Sequence, residues 1–109
     1  MYSLKRGVTI FISPEIERML ETFSFVFAAF KLPLVITSGL DGPHRENSLH
    51  YRFRAFDVRK IFNDPFHDET WKIHRENILD ALENQFQHRK LPVLIVEEAD
   101  HIHTEWCAE

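Results

Sequence analysis

The chain has 109 residues, of which 44% are hydrophobic and 28% are charged, and its net charge is −4. This size and balance fit one globular domain, residues 1–109, and exclude a wholly disordered chain. The acidic charge argues against a nucleic-acid partner bound through bulk electrostatics and against a polybasic membrane anchor. The single cysteine, Cys107, excludes an intrachain disulfide.

The sequence has no apolar run of the roughly 18 residues that a membrane-spanning helix needs. Residues 1–7 also lack the apolar segment of a secretory signal. We therefore expect no membrane partner, no signal peptide and synthesis in the cytoplasm.

The first part of the chain predicts a strand, a helix and a second strand. Residues 8–12 are apolar and β-branched, which is typical of a strand. A helix is predicted to begin after Ser13, because a hydroxyl N-cap is followed by Pro14 at the first helical position. Apolar side chains at three- and four-residue spacing define its buried face: Ile16, Met19, Leu20, Phe23, Val26, Phe27 and Phe30. Pro33 ends this helix, and residues 34–37 are predicted as a strand.

The second part predicts an aromatic-rich extended segment, another helix and then two further strands. Residues 48–58 are interpreted as extended chain with a bend, and residues 63–65, Asn-Asp-Pro, as a turn. A helix is predicted over 70–88, with Trp71, Ile78, Leu82 and Phe86 on one side. Residues 91–96 and 102–106 are predicted as the last strands. This order predicts an α+β fold, a small antiparallel sheet with two helices packed on it.

Three of the seven histidines lie beside carboxylates in two compact stretches. His101 and His103 would point to one face of a strand, because side chains alternate with a period of two. His50 and Asp57 are seven residues apart, so they can share an ion only if the chain bends near residues 52–54. A His, His, Asp set with one open position is typical of a catalytic zinc site. The opposing interpretation is that these are ordinary sheet residues and that no metal binds.

Two motifs in these stretches resemble those of the zinc peptidases of the D-alanyl-D-alanine carboxypeptidase type. Residues 48–57 follow the family pattern Ser-x-His-x-x-Gly-x-Ala-x-Asp except at Phe53, and residues 100–103, Asp-His-Ile-His, resemble the second motif. Residues 37–39, Thr-Ser-Gly, resemble the stretch upstream. The similarity covers residues 33–106 in the family's order and is most like that of small phage or prophage members. It implies the fold that this family shares with the hedgehog signalling domain.

The resemblance implies a role for each residue of the two motifs. His50, Asp57 and His103 would bind Zn²⁺, and His101 would stabilise the oxyanion of the tetrahedral intermediate. Asp100 matches the acidic residue three positions before the last ligand, the general base in this family. The implied activity is hydrolysis of stem-peptide bonds in peptidoglycan, at a D-alanyl-D-alanine or an L-alanyl-D-glutamate linkage. A phage-encoded enzyme of this kind would reach the cell wall when the host lyses.

The sequence leaves open which residue is the general base and what role Ser48 has. Glu97 or Glu98 would replace Asp100 as the base if the strand register differed from the expected one. The resemblance implies that Ser48 supports the ligand loop at the substrate-binding side and is not a nucleophile. The alternative, which we prefer, is an ordinary turn hydrogen bond.

The chain departs from the family pattern at two positions. Phe53 stands where the motif has glycine, at the place where the chain has to bend. The family arginine that binds a substrate carboxylate or carbonyl oxygen is absent, since residues 40–41, Leu-Asp, follow Ser-Gly here. The candidates to replace it are Arg45, Arg52 and Arg54. The alternative function is therefore a catalytically impaired zinc-binding module of the same fold, with a structural or partner-binding role; the oligomeric state stays open.

Overall fold

The computed structural model describes residues 2–39 and 54–107, which form a five-stranded sheet and two helices. The helices are α1 (Pro14–Ala29) and α2 (Pro65–His88). The strands are β1 (Ser3–Leu4), β2 (Val35–Ser38), β3 (Ala55–Arg59), β4 (Val93–Glu97) and β5 (His101–Trp106). Their order across the sheet is β1-β2-β3-β5-β4. The α+β class is confirmed, but the sheet is mixed and not antiparallel throughout, because β1 runs parallel to β2.

Both helices begin at a polar cap followed by proline. The Ser13 side chain accepts a hydrogen bond from the Ile16 backbone N–H at 3.1 Å, as predicted. Asp64 accepts one from the Phe66 N–H at 3.0 Å, so α2 begins at Pro65. The predicted start at residue 70 is therefore wrong, because the Asn-Asp-Pro sequence caps a helix here and does not form an independent turn. Neither described helix is long and apolar enough to cross a membrane.

The strand predicted over residues 8–12 does not form. The chain makes its edge strand earlier, at Ser3–Leu4, and then turns. In this turn the Val8 N–H donates to the Lys5 carbonyl at 3.0 Å, and Gly7 has a φ of +85°, a conformation that glycine adopts without strain. After the turn, residues 8–12 continue as irregular chain, with Thr9 and Ile10 close to Gly39 at the end of β2. The side chains of Val8 and Ile10 pack against the core, whereas those of Phe11 and Ile12 are exposed.

The helices pack against one face of the sheet, and within residues 2–39 and 54–107 no helix covers the other, here called the open face. Phe56, Val58 and Ile102 of β3 and β5 are fully buried beneath the helices. Asp57 and His103 alternate with them and project from the opposite face. The period-two pattern therefore separates a hydrophobic core from a row of ionisable side chains.

Phe23 joins the two helices and the sheet at the centre of the core. Its ring centroid lies 5.7 Å from that of Phe56, 5.8 Å from Phe27 and 5.9 Å from Phe86. The ring is fully buried. The phenylalanine-rich stripe of α1 is therefore core packing, as its helical spacing predicts.

We expect Phe23→Ala to lower the free energy of unfolding by about 3–5 kcal/mol, because it opens a cavity among three rings. Phe25→Ala is the matched control on the same helix, since Phe25 is 57% exposed. It should cost less than about 1 kcal/mol. Urea unfolding of both variants measures the difference, and equal losses would contradict this description of the core.

Candidate functional site

Asp57 and His103, two of the predicted zinc ligands, lie opposite each other on the open face. Antiparallel pairing of β3 with β5 aligns their Cα atoms. His103 Nδ1 and Asp57 Oδ1 are 2.9 Å apart, and both side chains are mostly buried, with 24% and 14% of their surface exposed. Pairing of two distant segments thus brings together the residues that the sequence motifs single out.

His103 lies between two carboxylates. Its Nδ1 faces Asp57, and its Nε2 lies 3.1 Å from Glu105 Oε1. A neutral imidazole has only one N–H to donate, so simultaneous bonds to both carboxylates require the charged ring. The hydrogen bond to Asp57 is the main cause that raises the pKa of His103, with a further contribution from Glu105.

His101 approaches the same aspartate from the other side. Its Nε2 is 3.7 Å from Asp57 Oδ2, while its Nδ1 is 2.6 Å from Asp100 Oδ1. The bond from His101 holds the pKa of the exposed Asp100 carboxyl below its usual range. Asp100, His101, Asp57 and His103 therefore form one continuous polar chain on the open face.

The three candidates for a general base lie in different surroundings. Glu97 accepts hydrogen bonds from Arg75 and Lys60, the latter at 2.9 Å. These bonds, that of Arg75 above all, lower the pKa of Glu97 to about 2. Glu98 lies in the tight turn between β4 and β5. Of these three carboxylates, Asp100 alone lines the cleft beside His101.

Glu97 should contribute to stability in a pH-dependent way, because its pKa is lower in the folded than in the unfolded chain. Its contribution is present above about pH 4.5 and fades as the pH falls toward 2. We expect Glu97→Gln to lose about 1–2 kcal/mol at pH 7, since the half-exposed Arg75 is screened by solvent, and less at pH 3. Glu98→Gln is the neighbouring control. Unfolding at both pH values measures this, and a loss that does not shrink at pH 3 would contradict it.

A cleft of about 370 Å³ opens beside Asp57. The residues that line it come from four of the five strands and their ends: Lys5, Thr37, Ser38, Asp57, Arg59, Ile61, Asp100 and His101. The adjoining Gly39 is buried, and a Cβ atom there would collide with the Thr9 backbone carbonyl. The Ser-Gly pair at the end of β2 therefore allows close packing of the chain beside this cleft.

The spacing of Asp57 and His103 is compatible with zinc. Imidazole nitrogen and carboxylate oxygen are both zinc ligands, and two such donors around a tetrahedral ion lie about 3.3 Å apart. The distance from Asp57 Oδ1 to His103 Nδ1, 2.9 Å, is slightly below that value. Within residues 2–39 and 54–107, no group of three His, Cys, Asp or Glu is arranged to hold a metal. The described residues supply two of the three predicted ligands.

Several predicted residues lie outside the described ranges. They are His50, Arg45, Ser48, Arg52 and Phe53. Arg54 is described, and its backbone carbonyl accepts a hydrogen bond from Trp106 at 2.9 Å. That position is at the end of the β3–β5 pair away from His101, and Arg54 is not among the cleft residues.

The sequence interpretation missed two cationic residues that line the cleft, Lys5 and Arg59. Arg59 was detectable in principle, because it is two residues after Asp57 and so shares its face of the strand. Lys5 was not, because its position depends on the pairing of β1 with β2.

Comparison of the chain with protein-family models, with curated proteins and with solved structures finds no match. The interpretation of the site therefore depends on its own residues.

Proposed function

We propose that this chain is a zinc-dependent peptidase that hydrolyses stem-peptide bonds of peptidoglycan. The observation that carries the proposal is the contact of Asp57 with His103 at 2.9 Å, with His101 3.7 Å from the same carboxylate. These are the residues that the two peptidase-like motifs assign to the reaction centre. The side chains of Asp57 and His103 meet although the two residues are 46 positions apart in the chain.

The proposed zinc ligands are His50, Asp57 and His103. A site in which carboxylates stabilise an imidazolium also stabilises a metal cation, and the cation would take the place of the proton between Asp57 and His103. Zinc with three protein ligands and an open position lowers the pKa of a bound water toward 7 and polarises a carbonyl.

His101 and Asp100 would act on the substrate and on the attacking water. Asp100 orients the His101 ring through the 2.6 Å bond to Nδ1. In its protonated form the other nitrogen, Nε2, can donate to negative charge that develops on the substrate carbonyl oxygen. The ionised Asp100 is exposed in the cleft and can accept a proton from water.

The cleft has the size of a small-ligand site, about 370 Å³, and opens to solvent beside these groups. Such a cleft suits the end of a short peptide better than a folded protein. A phage-encoded enzyme released at lysis would meet stem peptides in the cell wall, which makes peptidoglycan the proposed partner.

The first test is metal content. We expect about one zinc per chain by elemental mass spectrometry, lost in His50→Ala, Asp57→Ala and His103→Ala. His88→Ala is the control, because His88 is exposed at the end of α2, and it should keep the metal. Protein that takes up no zinc, even after zinc is added, would reject the proposal.

The second test is cleavage of purified muropeptides by the zinc-loaded protein. We expect hydrolysis that a chelator abolishes, and a loss of about 10²–10⁴-fold in kcat for Asp100→Asn with zinc retained. Glu98→Gln is the control and should keep its activity. Stoichiometric zinc without any cleavage would instead support the zinc-binding module with a structural or partner-binding role.

A further inference from the structure

Glu105 is a carboxylate of the open face that the two sequence motifs leave without a role. It lies two residues after His103 on β5, so both side chains project from the same face of the strand. Its Oε1 is 3.1 Å from His103 Nε2, and 24% of each side chain is exposed. Glu105 therefore contacts the imidazole that is proposed to bind zinc, at the nitrogen that does not face Asp57.

The neighbours of Glu105 across the sheet offer it no competing hydrogen bond. The register places Ala55 of β3 on one side of it and Leu94 of β4 on the other, and neither side chain has a polar atom. Within residues 2–39 and 54–107, His103 is the one side chain that bonds to the Glu105 carboxylate. The surroundings of Glu105 in the sheet therefore leave its charge available to the His103 ring.

The contact depends on the length of the glutamate side chain. Residues two apart on a strand are separated by about 6.6–6.8 Å, which the side chains of His103 and Glu105 have to span together. An aspartate at position 105, shorter by one methylene, would leave a gap longer than a hydrogen bond. The reach of Glu105, and not only its charge, therefore matches the position of Nε2.

The bond to Glu105 decides which nitrogen of His103 is available to a cation. An imidazole that binds a metal through one nitrogen carries its proton on the other. When the Nε2 proton is donated to Glu105, the lone pair of Nδ1 is directed toward Asp57 Oδ1, 2.9 Å away. The reverse arrangement, with the metal at Nε2, would separate the two proposed ligands His103 and Asp57.

His101 is held by a carboxylate in the opposite sense. Asp100 contacts its Nδ1 at 2.6 Å, and its Nε2 is left facing Asp57. Each imidazole thus has a carboxylate of its own on one nitrogen and presents the other nitrogen to the same aspartate. The two carboxylates differ in exposure, 75% for Asp100 and 24% for Glu105. Solvent therefore screens the bond of Glu105 less, and this is the bond next to the proposed metal ligand.

We propose that Glu105 is a positioning residue for the metal centre, whose bond to Nε2 fixes the His103 ring so that Nδ1 faces Asp57 and binds the cation. The inference rests on the zinc site of the proposed function but not on peptidase activity, since its consequences are metal affinity and ring orientation. Removal of a carboxylate that orients a ligand histidine typically weakens metal binding about 10- to 100-fold.

The first measurement is the affinity of the metal-free chain for Zn²⁺, by competition with a chromophoric chelator. Glu105→Ala should weaken zinc binding about 10- to 100-fold. Glu98→Ala is the matched control, because it removes an exposed carboxylate from the turn before β5 and should leave the affinity unchanged. Equal affinity of the wild type and Glu105→Ala would overturn the proposal, while the zinc site and the peptidase function would stand.

Two conservative variants separate orientation from charge. Glu105→Gln keeps an acceptor oxygen at the same reach without the charge, and it should recover most of the affinity that Glu105→Ala loses. Glu105→Asp keeps the charge without the reach, and it should bind zinc more weakly than Glu105→Gln. The opposite order, with Glu105→Asp close to the wild type and Glu105→Gln as weak as Glu105→Ala, would assign the effect to charge alone and overturn the positioning role.

NMR of the histidine rings tests the orientation directly. In the zinc-loaded chain, ¹⁵N shifts should show His103 with its proton on Nε2 and the metal at Nδ1, and a proton on Nδ1 would overturn the proposal. In the metal-free chain, ¹³C relaxation should show a more mobile His103 ring in Glu105→Ala than in the wild type or Glu98→Ala. An equally ordered ring in all three would contradict the proposed role.

The same measurements separate this inference from the proposed function. A wild-type chain that takes up no zinc would reject the peptidase function and the positioning of a metal together. Zinc binding that depends on Glu105, in a chain that cleaves no muropeptide, would support the positioning role and reject the peptidase function.

Discussion

The register between β3 and β5 is the constraint on which both the apolar core and the row of ionisable side chains depend. Asp57 lies opposite His103 because Phe56 and Val58 must face the helices together with Ile102. Side chains alternate along a strand, so a slip by one residue would exchange the two sets. The aspartate would then enter the apolar layer, and phenylalanine would face solvent. Burial of the core therefore holds the polar residues in position, with no bond of their own required to set the register.

The sequence predicts those elements of the fold that have local signals and misses those that depend on tertiary contacts. Helix α1 and its buried face follow from the Ser-Pro cap and the regular spacing of apolar residues, which are local signals. The two-residue strand Ser3–Leu4 has no such signal, because its pairing with β2 is a tertiary contact. Residues 8–12 look like a strand by composition, yet after the turn at Gly7 they form irregular chain. The Asp64 cap was present in the sequence, but Asn-Asp-Pro is equally compatible with a turn.

The residues of the candidate site also fall into two groups, those that the sequence predicts and those that depend on tertiary contacts. The pairing of Asp57 with His103 was predicted through the resemblance of the two motifs, whereas period-two spacing placed only His101 and His103 on one face. Arg59 could be placed in the cleft only once the open face of β3 was known. Lys5 could be placed there only once the position of the edge strand β1 was known. Sequence reasoning instead considered Arg45, Arg52 and Arg54, and Arg54, the one of these that is described, lies at the opposite end of the same strand pair. Proximity along the chain therefore does not predict which residues line a cleft that four strands form together.

Net charge gives an incomplete account of what such a cleft can attract. The chain is acidic as a whole, which disfavours long-range steering toward an anionic cell wall. On the helix-covered side, Glu97 is neutralised by Lys60 and Arg75. On the open face, Lys5 and Arg59 keep their charges available to a ligand. Salt screens charges beyond about 8–10 Å, so a substrate within the cleft meets mainly the charges that line it, those of Lys5, Arg59, Asp57 and Asp100. Recognition would therefore be local, and the acidic surface would affect the rate of encounter more than the choice of ligand.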